Sequence, residues 1–189
     1  MSLWGATTTD ESKPKHLTDA EKRDVYATKQ GWVKRTTGTG GRAGRVHEET
    51  LVAIGELAGG TSTTAGLGRG TISAVRFIST ALSAAAGGSF SAEVVYNEAV
   101  DVVTTGGTPQ MTITNTPGSD VVLDYASGTG TNRLTFTATV AGGATAENDV
   151  LSIGANSIAL NSGTIKDAGT AVDSEITHGT HVAIITVGA

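Results

Sequence analysis

The chain has 189 residues, a formal net charge of −5, 26 glycines and no cysteine, and only 4% of its residues are aromatic. The lack of cysteine excludes disulfides, thiolate metal sites and a cysteine nucleophile. No run of 18 apolar residues is present, which argues against a transmembrane helix. Residues 1–15 lack the apolar core of a signal peptide, so we expect synthesis in the cytoplasm and no membrane partner.

Charge is distributed unevenly along the chain. Residues 1–60 contain nine Lys or Arg and eight Asp or Glu, a net charge of +1, whereas residues 61–189 contain four and ten, a net charge of −6. An acidic surface disfavours contact with a phosphate backbone. We therefore expect no nucleic-acid partner.

The first predicted elements form a small N-terminal unit. Residues 17–29 can begin a short helix, because Thr18 is a suitable N-cap and Glu21 completes a capping box, although the apolar stripe is weak. Residues 32–36 and 45–53 are predicted strands, joined by a Gly-rich turn over residues 37–44. This pattern is typical of a β-hairpin.

A Gly-rich segment follows the hairpin. Residues 56–70 contain five glycines and show little apolar periodicity, which predicts a flexible linker. We place the domain boundary in this segment. The predicted organisation is an N-terminal arm and hairpin over residues 1–58, a linker over 59–70 and a second domain over 71–189.

Short strand-like segments separated by turn signals fill the second domain. Leu134 and Phe136 alternate with Thr135 and Thr137, and this period of two indicates one buried and one solvated face. Many short strands with regular turns favour a β-sandwich or barrel. A minority alternative for residues 71–82 is a helix with Ile72, Val75, Ile78 and Leu82 on one stripe. The predicted strands are 71–80, 89–97, 100–105, 109–116, 120–127, 133–140, 149–154, 156–161 and 181–188.

Residues 71–178 resemble a known family of extracellular modules. The segments "EAVDVVTTGGTPQMTI", "YASGTGTNRLTFTATVAGG" and "IALNSGTIKDAGTAV" are similar to the bacterial immunoglobulin-like (Ig-like) repeats of large surface and adhesin proteins. The resemblance implies an Ig-like β-sandwich, used for display and contact rather than for chemistry. The expected fold is therefore mainly β, an Ig-like β-sandwich preceded by an extended N-terminal arm with a small β-hairpin unit.

Residues 1–59 carry a second resemblance. The segments "MSLWG", "SKPKHLT", "GWVKR" and "ETLVAIGELAG" resemble the opening of virion structural proteins from myovirus-type tailed phages of marine bacteria, including cyanobacteria. The interval between "KPKHLT" and "GWVKR" is shorter than in those proteins. The resemblance implies a structural component of the virion, assembled in the host cytoplasm, whose N-terminal region docks on other virion proteins.

Together the two resemblances imply a non-enzymatic capsid decoration or cement protein. Its partners would be the major capsid protein or another virion protein, with homo-oligomer or lattice-neighbour contacts. A tail, baseplate or neck accessory protein with a host-contacting Ig-like domain is the alternative. Trp is favoured at interface hot spots, although Trp32 could equally pack the N-terminal core, and the basic residues could meet an acidic partner. The candidate partner-binding residues are Trp4, Lys13, Lys15, Trp32, Arg42 and Arg45.

Motifs for catalysis or cofactor binding are weak. The segment "TTGTGGRAGR" lacks the Lys-Ser/Thr pair of a phosphate-binding loop, so a hairpin loop is favoured. His178 and His181 could share a metal on a helix but would lie on opposite faces of a strand. The turn carboxylates could gather calcium, although solvated turn residues are the favoured interpretation. They are Asp120, Asp124, Glu147, Asp149, Asp167 and Asp173.

We therefore expect no catalytic residues, no cofactor and no metal. No Gly-x-Ser-x-Gly nucleophile motif is present in the sequence, and no paired acids stand at a recognisable spacing. A carbohydrate-active or metal-dependent enzyme built on a sandwich is the alternative from another functional class.

Overall fold

The computed structural model describes residues 13–14, 16–37, 44–55, 57–58, 67–181 and 183–189. Within these ranges the protein is mainly β, with antiparallel sheets in a sandwich-like arrangement and almost no helix. The elements, in chain order, are α1 (Asp19–Lys22), β1 (Val25–Thr28), β2 (Gly31–Thr37), β3 (Val46–Ala53), β4 (Ile72–Phe77), β5 (Gly87–Val103), β6 (Gln110–Thr116), β7 (Val121–Ser127), β8 (Thr131–Ala141), β9 (Val150–Ser152), β10 (Ile158–Ala159), β11 (Thr164–Asp167) and β12 (Ile184–Thr186).

The predicted N-terminal helix exists, but it is only one turn long. The capping box is confirmed, because Thr18 Oγ1 accepts a hydrogen bond from the Glu21 N–H at 3.3 Å and the Glu21 carboxylate accepts one from the Thr18 N–H at 3.0 Å. The helix prediction for residues 23–29 is wrong, since the chain enters β1 there. Val25 and its two successors are all buried, so pairing with β2 and burial outweigh a weak helical stripe.

Strands β1, β2 and β3 form a three-stranded antiparallel sheet in that order. The predicted hairpin is confirmed as β2 and β3, whereas β1 was not predicted as a strand. This sheet has its own small core, into which Leu51, Val52, Ile54, Ala58 and Leu67 also pack. The buried residues of this core are Leu17, Val25, Ala27, Trp32 and Leu57.

The predicted linker is partly described, and its ends are packed. Leu57 is fully buried, and the Leu67 N–H donates to the Leu57 carbonyl at 2.9 Å. Gly70 is also anchored, because its carbonyl accepts a hydrogen bond from the Glu175 N–H at 2.8 Å. Residues 56 and 59–66 lie outside the described residues, so the flexibility expected for the centre of this segment stays a prediction.

The remaining strands form a nine-stranded sheet with the path β11-β5-β8-β7-β6-β9-β12, with β4 on β5 and β10 on β6. Most predicted strands are confirmed, and the helical alternative for residues 71–82 is wrong because β4 pairs with β5. Two predicted strands, 89–97 and 100–105, are one long strand, β5, whose register on β8 shifts between Val95 and Val100. Strand β11 was not predicted as a strand.

The large sheet curls back on itself to enclose the main core. Ser83, just before β5, forms bridges to both Gly87 and Gly188, so the segment after β12 returns to the start of β5. The Gly188 N–H donates to the Leu82 carbonyl at 2.9 Å, and the Ala84 N–H donates to the Gly188 carbonyl at 2.8 Å. The enclosed core includes Phe90, Met111, Ile113, Leu123, Leu134, Phe136, Leu151 and Ile165.

Candidate partner-binding site

Strand β5 is covered on both faces. Residues 92–98 are buried without a break, unlike the alternating pattern of β6 or β8. Ala92, Val94 and Tyr96 belong to the core of the sandwich. Val95, which is 1% exposed, belongs to neither core, and β5 is in contact with β1. The N-terminal unit therefore packs on the outer face of β5.

A chain of four charged side chains ties the two units together. Arg76 and Arg133 both donate to Glu93 Oε1, the latter at 3.3 Å, and Arg133 Nη2 also donates to Asp24 Oδ1 at 3.0 Å. Glu93 is largely buried and Asp24 precedes β1. Partly exposed pairs each contribute little, but a buried carboxylate left without partners destabilises the fold. The two positive and two negative charges of these four side chains therefore neutralise one another.

Two adjoining cavities open beside this contact. One, of about 350 Å³, is lined by Arg23, residues 72–76 and residues 178–181. The other, of about 360 Å³, is lined by Lys13, Lys22, Arg23 and Ser73. They share Arg23 and Ser73, and we call the two together the junction cleft. Its lining contains basic side chains from both units.

Lys13 is held in the junction cleft by three contacts. Its ammonium donates to the Lys22 carbonyl at 3.0 Å and to Ser73 Oγ at 2.8 Å, and it lies 5.8 Å from the centre of the Trp32 ring. Burial, and the neighbouring Lys22, lower the pKa of Lys13 to about 8. Among the described residues, no carboxylate lies within ion-pairing distance of Lys13 or Arg23.

The two histidines of the junction cleft have separate roles. The Ser157 N–H donates to His178 Nε2 at 3.1 Å, and Nδ1 lies 2.7 Å from the Gly179 carbonyl, which assigns the proton to Nδ1. His181 packs edge-on against Phe77, and burial, followed by the charge of Arg23, lowers its pKa. Across the described ranges, no three His, Asp or Glu side chains are grouped so that they could hold a metal ion.

The predicted solvent exposure of the turn carboxylates is wrong for two of them. Asp149 and Asp167 are 3% and 2% exposed, so the interpretation of these two as solvated residues is wrong. Asp149 accepts hydrogen bonds from Asn115 Nδ2 and the Ala146 N–H. Asp167 accepts from the N–H groups of Gly169 and Thr170. Both carboxylates are occupied in fixing their own turns, because a buried carboxylate must have its charge compensated by donors.

The structure brings two of the predicted site residues together. Lys13 lies over the ring of Trp32, but Trp32 is only 2% exposed, so it fills the N-terminal core and offers no surface to a partner in this conformation. Arg45 is exposed at the far end of the β2–β3 hairpin from Trp32. Trp4, Lys15 and Arg42 lie outside the described residues.

Sequence reasoning missed most of the junction cleft. Lys22 and Arg23 lie in the segment predicted to begin a helix, and Arg76 and His181 lie in two separate predicted strands, so no pattern links them. One signal was available. The run from Ala92 to Glu98 does not alternate in the way of a half-solvated strand, which indicates a strand covered on both sides.

No protein-family model, curated protein sequence or solved structure matches the chain. Its function must therefore be argued from the residues and their geometry. In the part of the chain that the structure describes, none of the helical segments has the length and apolar character needed to cross a bilayer.

Proposed function

We propose that this protein is a non-enzymatic virion structural protein, most simply a capsid decoration or cement protein. Its N-terminal region docks on the head lattice, with the major capsid protein as the simplest partner, and the Ig-like sandwich is displayed outward. The sequence similarities of residues 1–59 and 71–178 support this proposal. So does the presence of a separate N-terminal unit on the side of a larger β-sandwich.

The observation that carries the proposal is the division into two cores with a small, charged junction. The N-terminal core contains Trp32 and Leu57, whereas the sandwich core draws on residues from β4 onward. Strand β3 forms one edge of the small sheet and is largely exposed, with Val46 57% exposed. Among the described residues no strand pairs with the outer edge of β3, and such an edge can accept a strand or side chains from a partner.

On a lattice, a docking contact of modest affinity is sufficient for high occupancy. Each shell presents many copies of one docking surface, and an extended arm gains contact area by wrapping neighbouring subunits, at an ordering cost on binding. Contacts between neighbouring copies add to occupancy because they are effectively intramolecular. Decoration of this kind would reinforce the shell against internal pressure.

The experiment is reconstitution of particles that lack this protein with the purified chain. Trp4→Ala should weaken particle binding and leave the melting temperature of the free protein unchanged, because we expect Trp4 to be buried only against another chain. Trp32→Ala is the matched control, since it removes a ring from the N-terminal core and should lower the melting temperature. An equal loss of melting temperature in the two variants contradicts the docking role of Trp4.

The copy number in the same particles separates the two virion roles. A stoichiometry close to that of the shell subunits supports decoration of the head. A copy number that matches one ring of subunits per particle supports the neck, tail or baseplate role instead. Deletion of residues 1–30 is a less selective test, because it also removes β1 and Leu17 from the N-terminal core.

A further inference from the structure

Strand β3 presents a regular row of backbone groups at the edge of the N-terminal sheet. The Arg35 N–H donates to the Asp24 carbonyl at 2.9 Å, so the backbone groups of Arg35 point toward β1 and away from β3. Arg35 stands opposite Glu48 on β3, and a residue in such a pair directs its own N–H and carbonyl outward. The same orientation recurs at every second residue. The backbone groups of Val46, Glu48 and Thr50 therefore point to the outer edge.

The side chains along this edge are accessible to a partner. Residues 46–50 are all exposed, and β3, with eight residues, is the longest strand of its sheet. The strand contains neither Lys nor Pro, two residues that commonly protect an edge from pairing. Among the described residues no strand pairs with its outer edge. An edge of this length is open to the addition of another strand.

The exposed charges of β3 are complementary to a second, antiparallel copy of the same strand. His47 and Glu49 are two residues apart, so their side chains lie on the same face. If two copies align about a twofold axis at Glu48, each His47 stands opposite Glu49 of the second copy. These are the pairs whose Cα atoms approach to about 4.5 Å, because their backbone groups point inward to β2. An imidazole N–H can donate to a carboxylate there, and such cross-strand pairs stabilise a sheet.

The central position of this register is also compatible with the charges. Glu48 would meet its own copy at the axis, but Arg35 Nη2 donates to Glu48 Oε1 at 3.0 Å and the Tyr26 hydroxyl donates to the same atom at 2.7 Å. The negative charge of each Glu48 is therefore compensated within its own chain. A register centred on Glu49 would place two Glu49 carboxylates opposite each other at the closest type of pair. A register centred on His47 would pair only residues 46–48 of β3.

We propose that β3 pairs with β3 of a second copy of this chain, antiparallel and centred on Glu48. The two three-stranded sheets then form one continuous sheet, and Val46 and Thr50 of opposite copies exchange backbone hydrogen bonds. The inference goes beyond the virion role, because the pairing is a property of the free chain. One strand pair buries less than the ~1,600 Å² of a standard interface, so association is weak in dilute solution. It becomes effective where copies are held close together.

The test is sedimentation equilibrium of the full-length free protein from about 10 μM to about 1 mM, a range chosen for a weak interface. We expect a monomer–dimer equilibrium with a Kd of about 100 μM. A protein that stays monomeric up to about 1 mM overturns the inference.

Charge variants of the edge test the register. His47→Glu gives an acidic edge, and His47→Lys combined with Glu49→Lys gives a basic edge. Each variant alone should dimerise at least about tenfold more weakly, because like charges then stand opposite each other. An equimolar mixture should restore dimers, since every Lys then meets a Glu. Thr105→Glu adds the same charge as His47→Glu at an exposed position between β5 and β6 and should change the Kd by less than about twofold.

A backbone variant tests the pairing itself. Val46→Pro removes an N–H that points to the outer edge, so it should weaken association by about tenfold and leave the melting temperature nearly unchanged. His47→Pro is the matched control, because it removes an N–H directed at β2 and should lower the melting temperature.

Two further results overturn the inference. Equal weakening by His47→Glu and Thr105→Glu shows repulsion by net charge rather than pairing at β3. Dimers that none of the edge variants weakens, or a mixture of the acidic and basic variants that stays monomeric, place the contact on another surface or in another register. Particle binding is measured separately. A monomeric protein that binds shells contradicts the β3 pairing and retains the docking function, whereas a dimer that does not bind shells has the opposite meaning.

Discussion

His181 shows how burial at the junction controls the charge of a single side chain. The His181 ring packs edge-on against the Phe77 ring, with the ring centroids 6.2 Å apart. The backbone N–H of His181 donates a hydrogen bond to the Ile153 carbonyl. Burial is the larger cause of its lowered pKa, and the positive charge of Arg23 acts in the same direction. The neutral imidazole is therefore the form that the folded protein favours.

This environment predicts an acid-sensitive contribution to stability. The unfolded chain binds a proton at His181 near pH 6.5, whereas the folded protein binds it only at lower pH. The stabilisation is complete above pH 6.5 and is lost as the pH falls through the folded pKa. Urea unfolding from about pH 7.5 to about pH 5 should show a smaller loss of unfolding free energy in His181→Gln than in the unmodified protein. Identical losses would contradict the role of His181.

The β1–β2 hairpin depends on a glycine at one position of its turn. Gly31 has a φ of +126°, and a Cβ there would lie 2.0 Å from the Val52 carbonyl on β3. The turn is also fixed by Thr28, whose hydroxyl donates to the Gly31 carbonyl at 3.0 Å. A side chain at Gly31 would therefore push β2 away from β3. Gly44, at the other end of the sheet, has a φ of +81°, but no atom of the described residues lies within 4 Å of a Cβ placed there.

These two glycines form a matched pair of substitutions. Gly31→Ala should lower the unfolding free energy by about 3 kcal/mol, because it adds a backbone clash to an unfavourable φ. Gly44→Ala should lower it by about 1 kcal/mol, because only the φ is unfavourable. Chemical denaturation of both variants measures the difference. A loss for Gly44→Ala as large as that for Gly31→Ala would show that the close approach to Val52 is not the cause.

At the scale of the whole molecule, the described residues form two cores that share no buried residue. The larger core takes all its members from Val75 to Val187, and its sheet is closed by the bridges at Ser83. The smaller core is joined to it through the contact between β1 and β5 and the bond between Arg133 and Asp24. Since partly exposed ion pairs contribute little, the sandwich does not depend on the N-terminal unit for its own core.

A chain of residues 68–189 should therefore fold without the N-terminal unit. We expect a β-sheet circular dichroism spectrum and a cooperative thermal transition at a lower temperature than in the full chain. The lower temperature follows from exposure of Val95 on the outer face of β5. The full-length protein under the same conditions is the control. A spectrum without a cooperative transition would show that the two units fold only together.

Much of the fold was predictable because it depends on local patterns. The alternation of Leu134 and Phe136 with threonines gave the strand β8, and the Gly-rich segment between residues 37 and 44 gave the hairpin. The capping box of Thr18 and Glu21 gave the start of α1. Each of these patterns spans only a few residues, and interactions between residues close in sequence are sufficient to determine the element.

The predictions that failed concern segments whose partners are distant in sequence. Val25 was assigned to a helix, but pairing with β2 and burial in the N-terminal core make it part of a strand. Asp149 was assigned to a solvated turn, but Asn115 donates to it in the interior. Of the candidate site, Lys13 is predicted from sequence as a partner-binding residue, and His178 and His181 only as possible metal ligands. Arg23 and Ser73 are 50 residues apart, and no local pattern relates them.

The sequence by itself determined the β class, the hairpin and the uneven charge, because composition and short-range periodicity carry that information. Only the tertiary structure decided which strands close the sheet, that Trp32 is core, and that Lys13 and Arg23 share a cleft with Ser73. The physical reason is that burial and electrostatic environment depend on groups brought together across the chain.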